Sequence, residues 1–180
     1  MKKLVMAVMM LLASIGFAQE ISSHLDIGLE VGMPVGDTKD LTTFGLGATV
    51  KGSFPVGRTI DLTGRIGYIW WADGEYEEDH GTAGVFTVTS ELYHIPILAG
   101  VRLKMPGGLY GMGELGVAVV GGTMKEALDG VTILDRDIDE SEFGYTLGVG
   151  FLASNLDLSV TYNSFNEWDH IGFRIGFMFM

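Results

Sequence analysis

Apolar and polar residues alternate strictly in the nine residues that precede the last one. The apolar face of this segment consists of Ile171, Phe173, Ile175, Phe177 and Phe179. The other face consists of Gly172, Arg174, Gly176 and Met178. Because successive side chains of a β-strand point to opposite faces, the pattern predicts a strand with an apolar medium on one side. A lipid-facing barrel strand fits this pattern, and so does a half-buried strand of a soluble sandwich.

The same period of two recurs along the chain and predicts an all-β protein of eight strands. The predicted strands are residues 24–33, 43–54, 59–71, 85–105, 109–120, 142–152, 156–163 and 171–179. Apolar residues occupy one face of each segment, and polar residues or glycine occupy the other. This dyad pattern is typical of strands that cross an outer membrane.

The predicted connections alternate between short and long. Tight turns rich in Pro, Gly and Asn are expected at residues 55–58, 105–108 and 153–155. Longer polar loops are expected at residues 34–42, 72–84, 121–141 and 164–170. Short turns at one rim and long loops at the other indicate an antiparallel up-and-down barrel. The strand-like residues 85–90 suggest either an edge that projects above the bilayer and recruits a partner strand, or simply a long loop.

The first residues have the features of a secretory signal peptide. Lys2 and Lys3 precede an apolar stretch over residues 4–15, and the small residues Gly16 and Ala18 allow cleavage before Gln19. We therefore expect a signal peptide at 1–18 and a single barrel domain at 19–180. No stretch approaches the roughly 18 uninterrupted apolar residues of a transmembrane helix.

Composition supports a barrel and excludes several classes of protein. The chain has 27 glycines, 47% hydrophobic residues and no cysteine, so a disulfide framework and a thiolate metal site are impossible. Strands satisfy their backbone polar groups in lipid only by closing into a barrel. The net charge of −12 makes nucleic acid an improbable partner.

The whole segment after the signal peptide resembles the small eight-stranded OmpX/OmpA-type outer-membrane β-barrels, in its strand pattern and its terminal aromatic strand. The resemblance implies a location in the cell outer membrane, contact with outer-membrane lipid and lipopolysaccharide, and a role in adhesion or surface contact with an extracellular protein. It also implies that the barrel-assembly machinery reads the C-terminal strand. That family usually ends in Phe, whereas Phe179 is followed here by Met180.

Strand parity places five acidic and five basic residues inside the predicted barrel. They are Asp26, Glu30, Asp61, Glu114 and Asp157, with Lys51, Arg65, Arg102, Lys104 and Arg174. An eight-stranded barrel is just wide enough for its own side chains to fill. We therefore expect a charge-balanced network that plugs the lumen, with a pathway for protons or small ions as the alternative.

Nearly all of the excess negative charge lies in the predicted long loops. These loops, counted together with Glu142 at the start of the next strand, carry sixteen acidic residues and three basic ones. Asp135, Asp137 and Asp139 resemble the opening of a calcium loop, but Glu140 stands where that loop needs Gly. We interpret the segment as a solvated acidic loop, with loose binding of a divalent cation as the alternative.

No cofactor motif is present, and we expect the protein not to be an enzyme. Lipid A deacylases of this architecture place Ser two residues after His on a strand, and in this chain the positions two residues after the four histidines hold Asp26, Thr82, Pro96 and Gly172. A narrow porin-like channel is the main functional alternative, a lipid A-modifying enzyme the next. A soluble lipocalin-like barrel also remains compatible with the sequence.

Overall fold

The computed structural model describes most of the chain after the N-terminal segment. The described residues are 23–36, 38, 42–79, 85–128, 131–166 and 168–179. Side chains within the strands are described except at 73–79, 85–90, 124–128, 131–133 and 135–136. The predicted signal peptide lies outside the described residues. No helix in the described part is long and apolar enough to cross a membrane.

Eight antiparallel strands form a closed barrel, which confirms the predicted fold class. Each strand pairs with the next along the chain, and the eighth pairs with the first. The strands are β1 (His24–Pro34), β2 (Thr42–Pro55), β3 (Ile60–Asp79), β4 (Val85–Lys104), β5 (Leu109–Leu128), β6 (Val131–Ala153), β7 (Leu156–Phe165) and β8 (Trp168–Phe179).

The barrel wall is apolar on its outer face and polar on its inner face, which is the reverse of a water-soluble protein. Apolar side chains point outward, so that Leu29 is 72% and Phe143 67% exposed, whereas Asp26 and Glu30 point inward and are 2% exposed. An apolar outer belt around a polar interior suits lipid, because lipid supplies the apolar medium that the belt requires. The strands follow the period of two because each residue is sorted between these two media.

The two rims of the barrel differ. The turn rim carries the short connections at 56–59, 105–108 and 154–155, together with the start of β1 and the end of β8. At the opposite rim β3 to β6 continue to 20–23 residues each, whereas β1, β2, β7 and β8 have 10–14. Since about 9–11 tilted residues cross a bilayer, these four strands extend well beyond it.

This extension corrects the predicted long loops. Most of residues 72–84 and 121–141 are strand, and they join residues 85–90 in a four-stranded extension that we call the projecting sheet. The segment 164–170 is also largely strand, whereas Val35, Gly36 and Thr38, the described residues between β1 and β2, lie outside the strands. The prediction placed the ends of these strands too early, because the part of a strand that lies beyond the lipid does not need an apolar face.

The projecting sheet also changes the prediction for residues 85–90. They do project, but they are not an edge, because β4 pairs there with both β3 and β5. The edges are instead on the outer strands of the sheet. β2 pairs with β3 only as far as Asp73, and β7 pairs with β6 only from Gly144 onward.

Matched arginine substitutions separate the lipid belt from the projecting sheet. We expect Leu29→Arg, in the middle of β1, to destabilise the barrel by about 2–4 kcal/mol, because it places a charge in the apolar belt. Leu134→Arg, on the projecting part of β6, changes a leucine that is 46% exposed and should alter stability by less than about 0.5 kcal/mol. Urea unfolding in lipid vesicles measures both, and equal losses would contradict the assignment of the belt.

Candidate functional site

The lumen is the candidate functional site, because the charged side chains of the predicted network, which come from seven of the eight strands, converge in it. All ten residues of the predicted network point inward, and nine of them are at least 96% buried. Lys104, near the turn rim, is the exception, with its side chain 29% exposed. Each of the ten lies within 4.0 Å of at least one opposite charge.

Asp157 is the centre of the network. Its Oδ2 atom lies 2.5 Å from Lys51 Nζ, 3.6 Å from Arg102 Nη1 and 3.7 Å from Arg174 Nη1. The Tyr110 hydroxyl donates a hydrogen bond to the other carboxylate oxygen. One wholly buried carboxylate therefore holds together side chains from β2, β4, β5 and β8.

A second group of charges closes the lumen near the turn rim. Arg102 donates to Asp61 Oδ2 from Nη2 at 2.8 Å and from Nε at 3.1 Å, while Lys104 Nζ lies 2.6 Å from Asp61 Oδ1. These three side chains line a cavity of about 280 Å³ that also contacts the turn at Ser154 and Asn155. The network is therefore approached from the turn rim through a mouth whose own charges are paired.

The third group lies deeper, around Arg65. Its guanidinium is 3.0 Å from Glu114 Oε2 and 3.4 Å from Glu30 Oε2, and it donates to Thr146 at 3.1 Å and Asn163 at 3.2 Å. Residues from β1, β3, β5, β6 and β7 meet in this group. Opposing carboxylates and neutral oxygens thus surround the arginine across the width of the barrel.

Above the charged groups, towards the projecting sheet, an apolar layer fills the lumen; we call it the aromatic cap. It consists of Ile69, Trp71, Leu92, Leu98, Ala118, Phe165 and Trp168, with His94 and His170 between the rings. Trp71 is wholly buried and lies against Gly32 and Gly45. A Cβ atom at either glycine would approach the indole to 2.8–2.9 Å, so only glycine leaves room for this ring.

The sequence reasoning missed the aromatic cap, although its signal is present. Ile69 and Trp71 share the parity of Arg65 on β3, so continuing the alternation would have placed both inside. Charged residues alone were predicted on the inner face, and apolar residues were assigned to the lipid-facing side. The cap is identified by apolar residues that share the strand parity of inward-pointing charged residues.

His94 lies among the rings of the aromatic cap and outside the hydrogen-bonded network of the charged groups. In the described part of the chain neither of its ring nitrogens has a hydrogen-bond partner. Its ring instead meets Trp168 edge-on at 4.9 Å and Trp71 at 5.5 Å, measured between ring centroids, with His170 6.4 Å away. His94 thus contributes to the cap as an aromatic ring.

Glu142 is also placed differently from the prediction, which counted it among the loop residues. It lies on the inner face of β6, opposite Ala118 of β5, and is only 8% exposed. The predicted strand began at this residue, so its charge was assigned to the loop before it. The lumen therefore contains six acidic residues against the five basic ones of the network.

The candidate metal ligands lie on β6 in the projecting sheet. Asp137 and Asp139 are exposed, and the side chain of Asp135 lies outside the described residues. Among the side chains that are described, no group of three or more His, Asp or Glu is arranged to hold a metal ion. Divalent-cation binding at this segment stays a prediction.

A closed eight-stranded barrel with an apolar belt and a filled polar lumen defines a class of fold, that of the small outer-membrane β-barrels. A solved structure of Ail, the attachment invasion locus protein of Yersinia pestis, superposes with a TM-score of 0.57 at 15% identity, covering 89% of this chain and all of Ail. A second Ail structure, in complex with the heparin analogue sucrose octasulfate, gives 0.56 at 16% identity and the same coverage. No family model and no curated protein matches the chain.

The similarity to these structures establishes the fold, and the apolar belt indicates the environment of the barrel. The barrel's outer residues are apolar and exposed on every strand, so a closed barrel of this fold is located in an outer membrane. The structure thus agrees with the location that the sequence predicted.

Removing the central carboxylate tests how far the fold depends on the network. We expect Asp157→Asn to destabilise the barrel by about 3–5 kcal/mol, since three buried cations lose their shared partner. Tyr110→Phe, which removes one hydrogen bond to the same carboxylate, should cost only about 1–3 kcal/mol. Urea unfolding followed by the shift in gel mobility on heating measures both, and a neutral Asp157→Asn variant would contradict the central role of this residue.

Proposed function

We propose that the chain is a non-enzymatic outer-membrane surface protein, which keeps its own lumen closed and presents the projecting sheet to an extracellular partner. The observation that carries this proposal is the extension of β3 to β6, since membrane crossing alone does not require it. A rigid barrel with a protruding sheet suits contact at the cell surface. The signal peptide expected at residues 1–18 would provide the export that this location needs.

Two layers support the closed lumen. The charged groups fill the half of the barrel nearer the turn rim, and the aromatic cap fills the half nearer the projecting sheet. Ions crossing the barrel would need to displace paired charges and then cross an apolar layer, and both steps are costly. A narrow channel is the second candidate, supported by the cavity at the turn rim.

The surroundings of the buried histidines favour a non-enzymatic role. His94 and His170 lie among Trp71, Phe165 and Trp168, and a base that activates a serine must instead reach its hydroxyl within hydrogen-bonding distance. The test is to incubate the folded protein with lipid A. A change in the mass of the lipid A would overturn this part of the proposal.

Charge indicates the chemistry of the extracellular partner. The segments beyond the membrane are strongly acidic, and Asp137, Asp139 and Glu140 are exposed on the projecting sheet. The Ail structure with sucrose octasulfate shows a polysulfated ligand on that protein. An acidic surface would repel such a ligand, so we propose a cationic partner here, with divalent cations mediating any contact with lipopolysaccharide.

The last strand supports a role in assembly. Phe173, Ile175, Phe177 and Phe179 all point outward from β8 and are about half exposed. Before the barrel closes, this regular and mainly aromatic face stands beside a backbone edge of β8 that has not yet paired with β1. We propose that the barrel-assembly machinery recognises it.

Conductance distinguishes the closed barrel from the channel. We expect no steady conductance from the wild-type protein in planar bilayers, and almost none from Arg65→Ala, because the cap remains above the altered layer. Arg65→Ala combined with Trp71→Ala opens both layers and should conduct. Retained heat-modifiable migration on gels shows that each variant is folded, and steady conductance of the wild type would defeat the proposal.

Shortening the projecting sheet tests the surface role. We expect that replacing residues 75–88 and 124–137 with tight turns abolishes attachment of a non-adherent laboratory bacterium displaying the protein, because the surface offered to the partner is lost. Counting cells bound to host cells or to matrix proteins measures this. The barrel itself serves as the control: its amount and heat-modifiable migration should not change, and undiminished attachment would contradict the proposal.

A further inference from the structure

We infer that a groove on the outer face of the barrel holds one acyl chain of an anionic phospholipid, whose headgroup lies at the basic residues of the turn rim. The inference rests on the proposed function in one respect, because it takes the turn rim as the side that faces away from the cell surface. It adds a bound lipid, which the proposed function does not include.

The first observation is the shape of the outer face. A groove of about 670 Å³ lies in the apolar belt, and residues from β4, β5, β6, β7 and β8 line it. Its lining is almost wholly apolar. Neighbouring strands are about 4.8 Å apart, so a groove that reaches from the first of these strands to the fifth is about 19 Å long.

Two glycines open the groove, although packing within the protein does not require them. A Cβ atom at Gly111 would lie 3.7 Å from Met105 Cε, and one at Gly113 would lie 3.6 Å from Leu147 Cδ2. Both are ordinary van der Waals contacts, whereas a Cβ atom at Gly116 on the same strand would clash with the backbone of β4. Because glycine weakens a strand, its use where a larger residue fits indicates the close approach of another molecule.

The size and the position of the groove indicate an acyl chain as that molecule. The groove is continuous with the belt that lipid already covers, and it is far smaller than the roughly 1,000 Å² that a stable protein interface requires. The acyl chains of one leaflet cross about half of the roughly 30 Å hydrocarbon core. A groove about 19 Å long that runs obliquely to the membrane normal therefore suits one such chain.

The charges at the end of the groove indicate the headgroup. The groove reaches the turn rim at Leu103, and the next residue, Lys104, donates its backbone N–H to Thr59 O at 2.7 Å. This contact places the groove's end beside the turn that carries the exposed Arg58. Among the described residues of this rim, every acidic side chain is buried. Since Asp61 already pairs with Lys104, Arg58 is the main partner for an anionic headgroup.

Native mass spectrometry of the full-length folded protein tests for the bound lipid. The protein is released into mild detergent from vesicles that contain phosphatidylglycerol, phosphatidylethanolamine and lipopolysaccharide. We expect one retained phospholipid per barrel, with phosphatidylglycerol favoured about fivefold over equimolar phosphatidylethanolamine. Loss of all lipid, or retention of lipopolysaccharide in its place, would overturn the inference.

Filling the groove tests its role. The double variant Gly111→Leu and Gly113→Leu should lower lipid retention by about fivefold or more, because the added side chains occupy the space of the acyl chain. Its heat-modifiable migration should not change, since both Cβ atoms make ordinary contacts. Ala48→Leu, at an exposed position on the outer face of β2, is the matched control and should retain lipid as the wild type does. Equal retention by the double variant and the wild type would overturn the assignment to the groove.

Removing the basic residue tests the headgroup site. Arg58→Ala should reduce the preference for phosphatidylglycerol to less than about twofold, whereas Arg58→Lys should keep it, because the headgroup needs only the positive charge. An unchanged preference in Arg58→Ala would overturn the headgroup assignment.

A photoactivatable group on the acyl chain locates the chain in the wild-type protein. Cross-links should concentrate on β4 to β8, and even labelling of all eight strands would overturn the inference. A dimer in analytical ultracentrifugation that the double leucine variant abolishes would also overturn it, since a second copy would then occupy the groove. Cell attachment without a retained phospholipid would overturn this inference alone, whereas a retained phospholipid without attachment would overturn the proposed function alone.

Discussion

The structure depends on how eight strands can close around a lumen that their own side chains must fill. A barrel of this size leaves no room for bulk water, so every inward charge needs a partner supplied by another strand. Asp157 meets this requirement for Lys51, Arg102 and Arg174 together. Because those partners come from strands far apart in the sequence, the ion pairs and the closure of the barrel depend on each other. Neither forms without the other.

The same constraint explains why the interior has two layers of different chemistry. Near the turn rim the lumen can exchange with water through a charged mouth at Lys104, and paired ions are well tolerated there. Towards the projecting sheet, Trp71 lies against Gly32 and Gly45 and meets His94 and His170 edge-on. Packed rings rather than ion pairs fill most of this level. The projecting sheet therefore starts from a solid, apolar base, and Ile138 links the first residues of the sheet to that base.

Much of the barrel could be predicted from the sequence, because lipid imposes a strict period of two on every strand that it touches. That period located eight strands and the three tight turns, and it assigned all ten charges of the network to the inner face. It could not supply the pairing among those charges, which depends on the stagger between strands. It also failed wherever lipid no longer sorts the residues. Beyond Trp71 and Val120 the sequence no longer alternates regularly between apolar and polar residues, and the sequence reasoning took these segments for loops.

The residues that were misplaced share a physical cause. Glu142, Trp71 and His94 all lie at the level where the barrel leaves the membrane, and the medium on each face of the wall changes there. Apolar residues turn inward at this level and acids continue upward along β6. Strand edges in this zone are exposed to neighbouring molecules in a crowded membrane. Asp137 and Asp139 are exposed on β6 at this level, and charges of this kind on a strand edge disfavour its pairing with other copies of the chain.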